Sequence, residues 1–295
     1  MTTLERSLVS RGLNGRYSQV WRRFRRHKLA MLGLAFLALT TALAIFAPWI
    51  APHNPDALDL ATSGGIPVGP SWAHPFGTDD LGRDILSRVI YGGRVSLFVG
   101  FLAMAISVTV GATLGAVSAY AGGWLDNAIM RVVDVLMSIP TFFLILSLNA
   151  NLTPSVWNVI IAIGLLSWMP ISRIVRGEVL SLMNREYVQA ARAVGARAPR
   201  ILFRHLLPNA MAPIIVQATL GIAEAILMES ALSFLGMGVQ QPMSSWGSML
   251  QASKQYIDSA WWMSVFPGLF ISLTVLGFNF VGDSLRDALD PRLSR

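Results

Sequence analysis

Residues Val95 to Tyr120 read VSLFVGFLAMAISVTVGATLGAVSAY, without one Asp, Glu, Lys or Arg. Crossing the hydrocarbon core of a bilayer takes about 20 mostly apolar residues. This stretch is long enough, and no polar stripe interrupts it as one would on a soluble amphipathic helix. Five more runs of the same kind flank it: Leu29 to Ala47, Ile129 to Leu148, Val156 to Ile174, Ala210 to Leu235 and Trp261 to Val281. The run from Ala210 is interrupted by Glu224 and Glu229. Composition agrees, since 54% of the 295 residues are hydrophobic and 13% charged, against roughly 25% charged in a soluble domain. The sequence therefore predicts an all-α integral membrane protein with six spanning helices.

Orientation follows from the Lys and Arg residues of short loops. They gather in the N-terminal tail (Arg6, Arg11, Arg16, Arg22, Arg23, Arg25, Arg26, Lys28), in the loop after the fourth span (Arg173 to Arg204), at Arg131, and in the C-terminal tail (Arg286, Arg292, Arg295). Arg83, Arg88, Arg94 and Lys254 fall on the other side. With an even number of spans, this bias predicts both termini in the cytoplasm. The first run is too long for a signal-peptide core and lacks a nearby small-residue cleavage site, so it reads as an uncleaved anchor. The net charge is +7, but the cations lie between apolar runs, not on one folded face, which argues against a nucleic-acid partner.

The outer loop before Val95 begins irregular and rich in Pro and Gly. It then reads Gly77-Thr78-Asp79-Asp80-Leu81-Gly82-Arg83-Asp84. Thr78 is suited to cap a helix running toward Tyr91, with Asp79 and Asp80 in its first turn. The acidic cluster lacks the alternating oxygen ligands of a calcium loop. It reads as capping and solvated surface.

Several chemistries are excluded. There is no Cys, so no disulfide, thiolate metal site or cysteine nucleophile. A P-loop needs Gly-Lys followed by Ser or Thr. The lysines are Lys28, after His27, and Lys254, after Ser253, so the chain cannot bind ATP by that route. Neither His-Glu-x-x-His nor Gly-x-Ser-x-Gly occurs, and no catalytic or metal residue is expected. A secondary transporter would need broken midplane helices or inverted repeats. Pro140 and Pro170 could break helices, yet no two matching halves are visible.

The most informative polar segment lies between the fourth and fifth runs, at residues 184–208. Asn184 is a suitable N-cap, and Glu186-Tyr187-Val188-Gln189-Ala190-Ala191-Arg192-Ala193-Val194 favours helix. Gly195 would end it. Pro199 suits the first turn of a second short helix, which Pro208 would stop or bend at the membrane. One reading is a basic amphipathic loop lying on anionic headgroups.

The other reading is a resemblance. The pair Ala190-Ala191, Gly195 four positions on, and Leu207-Pro208 resemble the EAA loop of ATP-binding-cassette importer permeases. Gln189 stands where the general pattern has Glu, and Glu186-Tyr187 open the variant Glu-Tyr-x-x-Ala-Ala. The variant is similar to the peptide/nickel permeases, in particular the dipeptide and oligopeptide permease C subunits. The likeness extends over nearly the whole chain, through His74 to Asp79, Gly82-Arg83-Asp84, Met130-Arg131 with Asp134 and Pro140, Glu229 to Gly236, Ser245-Trp246-Gly247, and Gly282 to Pro291.

This resemblance implies a type I importer permease core over 94–284 with an additional anchor and outer loop over 1–93 and a cytoplasmic tail over 285–295. It implies a coupling loop in which Glu186, Tyr187, Gln189, Ala190, Ala191, Gly195, Leu207 and Pro208 meet a separate ATPase. The implied partners are a second, homologous permease subunit, two cytoplasmic ATP-binding subunits that use ATP and Mg²⁺, and an extracytoplasmic binding protein. Thr78, Asp79, Asp80, Arg83 and Asp84 are candidates for contact with that binding protein. This chain itself would bind no cofactor. Dipeptides, oligopeptides, glutathione and nickel all remain open as cargo.

Ionisable groups inside a span cost at least ~2.5 kcal/mol each and need partners or a wet path. Asp134 lies one turn from Arg131, an expected i, i+3 pair. Glu224 and Glu229 are five positions apart, about 500° around a helix, and so face different ways. All three acids are candidates for the translocation path or for buried structural bonding. Gly111, Gly115 and Ala119, at four-residue spacing, suit close helix packing.

Overall fold

The computed structural model describes residues 21–59 and 64–289. Arg6, Arg11, Arg16, Arg292 and Arg295 lie outside the described residues. The described chain is helical, with a lone antiparallel bridge between Thr78 and Asp84. In order, the helices are α1 (Lys28–Ile45), α2 (Ala47–Ile50), α3 (Ile85–Ala121), α4 (Gly123–Met137), α5 (Thr141–Ala150), α6 (Val156–Leu166) and α7 (Met169–Met183). Then come α8 (Glu186–Ala193), α9 (Ala198–Ile201), α10 (Met211–Phe234), α11 (Trp246–Ser253) and α12 (Trp262–Leu289). Five helical stretches are long and apolar enough to cross a membrane, and the expected six are reached when the bent pair α4–α5 counts as one span.

The centre of the bundle is α3, which packs against α1, α6, α7, α10 and α11. At 1.5 Å per residue its 37 residues reach about 55 Å, well beyond the ~30 Å hydrocarbon core. The glycine spacing does what the sequence suggests. A Cβ on Gly115 would lie 2.3 Å from the Ser172 carbonyl oxygen, and one on Gly111 2.6 Å from that of Trp168. The α3 and α7 backbones therefore touch, which only glycine permits. The anchor α1 docks on α12 in the same way, with a Gly33 Cβ position 3.0 Å from the Gly277 oxygen.

Local chemistry moved several expected boundaries. The third run is not one helix: α4 and α5 meet at an 80° bend. Pro140 is the cause. It has no N–H to give, and it pushes Ile139 out of helical geometry, so the chain restarts at Thr141. Pro170 likewise sits in the first turn of α7, just after the break at Ser167 and Trp168. The helix leading into the second span is capped by Asp84, not Thr78. The Asp84 carboxylate accepts the Ser87 N–H at 2.8 Å. The Thr78 hydroxyl is already taken as acceptor by the Val68 N–H at 3.0 Å, and Gly82, at φ +75°, turns the chain back before the helix can start. Arg185, not Asn184, holds the N-cap position of α8, in extended backbone geometry.

Two ion pairs tie the bent span to α7. Arg176 meets Asp126 in a bidentate fork, Nε and Nη2 each 2.6 Å from a carboxylate oxygen, and the Ser118 hydroxyl also donates to Asp126. Such planar pairing is the strongest geometry available to arginine. Asp134 is bound by Arg173 and not by the expected Arg131. On one helix, the i, i+3 neighbour competes with a long arginine from the facing helix, and here the facing one reaches it.

Candidate functional site

Below the α7 end of the bundle, α8 and α9 form the short helical pair expected around Gly195. The α8 terminus is a Schellman turn: the Ala196 N–H reaches the Ala191 carbonyl at 3.0 Å and the Gly195 N–H reaches Arg192 at 2.9 Å. That turn needs a left-handed residue, and Gly195 has φ +78°. Pro199 is in the first turn of α9. Pro208 also acts as expected. Because it cannot donate to the preceding turn, the chain widens into a π turn at Leu202–Leu206, with the Leu207 N–H on the Leu202 carbonyl, then tightens into a 3₁₀ turn at Leu207–Ala210.

Burial divides this loop into anchors and a free face. Val188, Ile201, Leu202 and Leu206 are buried against the bundle. Within α8 only Val188 is buried; Glu186, Tyr187, Gln189 and Ala190 are exposed and Ala191 is half-buried. Leu207 is half-buried and Pro208 exposed. Val194 is 84% exposed and Phe203 57% exposed, so apolar side chains are offered outward beside Arg192, Arg197, Arg200 and Arg204. The arrangement is a rigid, short helix held by one apolar peg and a glycine joint.

The two acids of α10 separate as their spacing requires. Glu224 lies on an exposed face. Glu229 is fully buried. The Ser233 hydroxyl donates to its Oε1 at 2.7 Å and the Ser96 hydroxyl to its Oε2 at 3.2 Å, with Ser230 at 3.5 Å. Ser96 in turn accepts the Trp246 N–H at 3.2 Å, and the Trp246 indole donates to the Val89 carbonyl at 2.9 Å. A Cβ on Gly247 would lie 2.5 Å from the Ser230 Cα. The Glu229 and Ser245-Trp246-Gly247 motifs are thus one contact, joining α3, α10 and α11. Sequence reasoning singled out both motifs but gave no signal that Ser96 would join them. Replacing Glu229 with leucine strands these hydroxyls and is expected to cost roughly 2–4 kcal/mol, with Glu229→Gln milder because an acceptor remains. The thermal midpoint of the detergent-solubilised chain measures both.

The outer residues are an internal knot more than a solvated surface. Thr78, Asp79, Arg83 and Asp84 are all buried, and only Asp80 of the five is partly exposed. Asp79 takes Arg83 Nε at 2.7 Å and the Leu81 and Arg83 N–H groups at 3.0 and 2.9 Å. Thr78 accepts the Val68 N–H on its hydroxyl and the Trp262 indole on its carbonyl. Arg88 reaches the Pro55 carbonyl. The knot pins the outer loop to the start of α3 and to α12.

Comparison with known proteins agrees with this architecture. Residues 111–295 match the family model described as binding-protein-dependent transport system inner membrane component, and residues 15–64 match the N-terminal TM domain of oligopeptide transport permease C. The dipeptide transport system permease protein DppC of Escherichia coli K12 is 48% identical over 94% of this chain and 93% of its own length. DppC of Alkalihalophilus pseudofirmus is 45% identical over 94% and 90%. The oligopeptide permease protein OppC of Bacillus subtilis is 41% identical over 92% and 88%. Among solved structures, a chain of the inward-facing MetNI methionine ABC transporter shares the fold, at TM-score 0.57 and 18% identity over 70% of this chain and 98% of that one. Identity at this level across nearly the full length, on an all-helical membrane fold, places the chain in the family of binding-protein-dependent transport system inner membrane components, as a multi-pass permease subunit of an ATP-binding-cassette transporter and not its ATPase.

Proposed function

We propose that this chain forms half of the path by which an ATP-driven importer carries dipeptides or oligopeptides into the cell. The observation that carries this reading is the outward face of α8 and the Gly195 joint, presenting Tyr187, Val194 and Phe203 beside arginines. A soluble ATPase with an apolar, acidic-rimmed cleft would seat such a helix. Two ATPase subunits, using ATP and Mg²⁺, close on this loop and its counterpart in a second permease subunit. Their push reaches α7 and α10 through Val188 and the Ile201 to Leu206 anchors. The core over 94–284 then rocks between outward- and inward-open states, while α1 serves as an accessory anchor. Both termini face the cytoplasm in this reading, which the arginine distribution supports.

A peptide cargo is supported by the names of the relatives given above, which mention dipeptides and oligopeptides and neither nickel nor glutathione. Glu224, exposed on α10, and Asp134, half-exposed beside Arg173, are the acids we assign to the path shared with a second subunit. Glu229 supports that path from within. The extracytoplasmic binding protein meets the outer loop at Asp80 and the fully exposed Trp72, on a platform stiffened by the Thr78 to Asp84 knot.

Purification of the tagged chain from its own membrane tests this directly. Co-elution of an ATPase and a second permease, with ATP- and binding-protein-dependent uptake of a labelled dipeptide in proteoliposomes, is expected. Uptake driven by an ion gradient, with this chain alone, would instead establish a secondary transporter.

A further inference from the structure

His53 and His74 are 21 positions apart in a loop with little regular structure, and nothing in their spacing suggests a common site. The fold brings them together. Their rings lie 4.7 Å apart, centroid to centroid, and both approach the Asp84 carboxylate. His74 Nδ1 is 3.0 Å from Asp84 Oδ1, and His53 Nδ1 is 3.8 Å from Asp84 Oδ2. One ligand-type atom from each residue falls within 4.8 Å of the others.

We infer that His53, His74 and Asp84 form a binding site for a divalent transition-metal ion, of the Zn²⁺ class, on the outer face of the protein. Two imidazole nitrogens and one carboxylate oxygen are a donor set for Zn²⁺, Ni²⁺ or Cu²⁺ and a poor one for Ca²⁺ or Mg²⁺. Three protein ligands leave a fourth, open position for water or another ligand. Tetrahedral bonds of about 2.0–2.1 Å put ligand atoms roughly 3.3 Å apart, so the His74–Asp84 pair, at 3.0 Å, is already near that spacing, and the His53 ring has to close by up to about 1.5 Å.

The surroundings favour that closure. Hydrogen bonds fix the backbone positions, while the ring that must move is partly exposed. The His53 N–H donates to the Ser87 hydroxyl at 3.1 Å, and that hydroxyl donates to Asp84 Oδ2 at 2.7 Å. The Ser87 N–H also binds Oδ2, which leaves Oδ1 turned toward His74. A tight turn holds His74, its N–H on the Ser71 hydroxyl and its carbonyl accepting from Ser71 and Gly77. Asp84 is buried and His74 partly so, while the His53 side chain is 42% exposed, the least enclosed of the three. Such outer support of the ligands is what separates a metal site from a chance cluster. A bound ion would cross-link the segment three residues beyond α2, the turn before the knot and the N-cap of α3. It neutralises a buried carboxylate in doing so.

The test uses the full chain in nanodiscs, purified with a tag free of histidine. Equilibrium dialysis against Zn²⁺ is expected to give one ion per chain. Co²⁺ is expected to give the intense visible bands of a low-symmetry, four-coordinate site. His53→Ala, at an exposed ring, leaves the fold intact and is expected to weaken Zn²⁺ binding about tenfold or more, with His74→Gln abolishing the Co²⁺ spectrum. Circular dichroism confirms that each variant is folded. Equal Zn²⁺ binding by the wild type and a variant combining His53→Ala with His74→Gln, or Co²⁺ bands unchanged by His53→Ala, would overturn the assignment, as would an absence of binding at micromolar Zn²⁺.

Discussion

Gly195→Val is expected to leave the chain inserted and assembled while peptide uptake falls roughly tenfold and ATP hydrolysis by the partner subunits continues. The reason is conformational and not steric. A Cβ at Gly195 meets nothing within 4 Å, but the residue stands at φ +78°. A β-branched residue pays about 1–2 kcal/mol there. The chain relieves that strain by giving up the Schellman turn, so that α8 no longer holds a fixed angle to α9. Val188, Ile201, Leu202 and Leu206 stay buried, which keeps the loop docked. The push from the ATPase is then absorbed at the joint. ATP consumed per peptide transported, measured in proteoliposomes, reads this out. Gly195→Asn, which tolerates the left-handed region, should retain most coupling. A wild-type ratio in the valine variant would remove Gly195 from the coupling machinery.

Gly115→Leu should have the larger effect on the fold itself. The new Cβ would sit 2.3 Å from the Ser172 carbonyl oxygen and 3.0 Å from its Cα and carbonyl carbon. These are backbone atoms of α7, so no side chain can step aside. The helices must part. Parting them also pulls Arg176, one turn beyond Ser172, away from Asp126, whose other partner Ser118 lies one turn beyond Gly115. Overpacking of this kind costs about 3 kcal/mol or more. A pronounced drop in thermal midpoint and in the yield of monodisperse protein is expected. Gly177→Leu is the matched control, since nothing lies within 4 Å of its Cβ position. Equal stability of the two variants would mean that α3 and α7 do not pack as described.

Some of this was open to the sequence because the determinants are local. A span is fixed by the apolarity of about 20 consecutive residues. A turn such as Gly195 is fixed by the one residue type that occupies it cheaply. The Ala190-Ala191 to Pro208 segment is contiguous, and its shape follows from propensity, one glycine and two prolines. Pro140 was visible as a breaker too, although its 80° consequence was not. A proline sets where a helix must stop, while the angle of the restart depends on what the next helix packs against.

What only the tertiary structure decided is every partnership between residues distant in the chain. Asp134 had a cation one turn away and took Arg173 instead, because a long side chain from a facing helix reaches across where an i, i+3 neighbour does not. Asp126 and Arg176 are 50 positions apart, and Ser96 and Glu229 are 133. No period or spacing encodes such pairs. The same holds for Thr78 to Asp84, which by composition belong to a wet surface and by packing lie buried. So the sequence by itself determined a six-run helical membrane protein with a glycine-jointed polar loop and no ATP site of the P-loop kind, since each of these rests on neighbouring residues. The tertiary structure decided which buried charge meets which, because in a low-dielectric interior an ion is placed by the partner that can reach it and not by its neighbour in the chain.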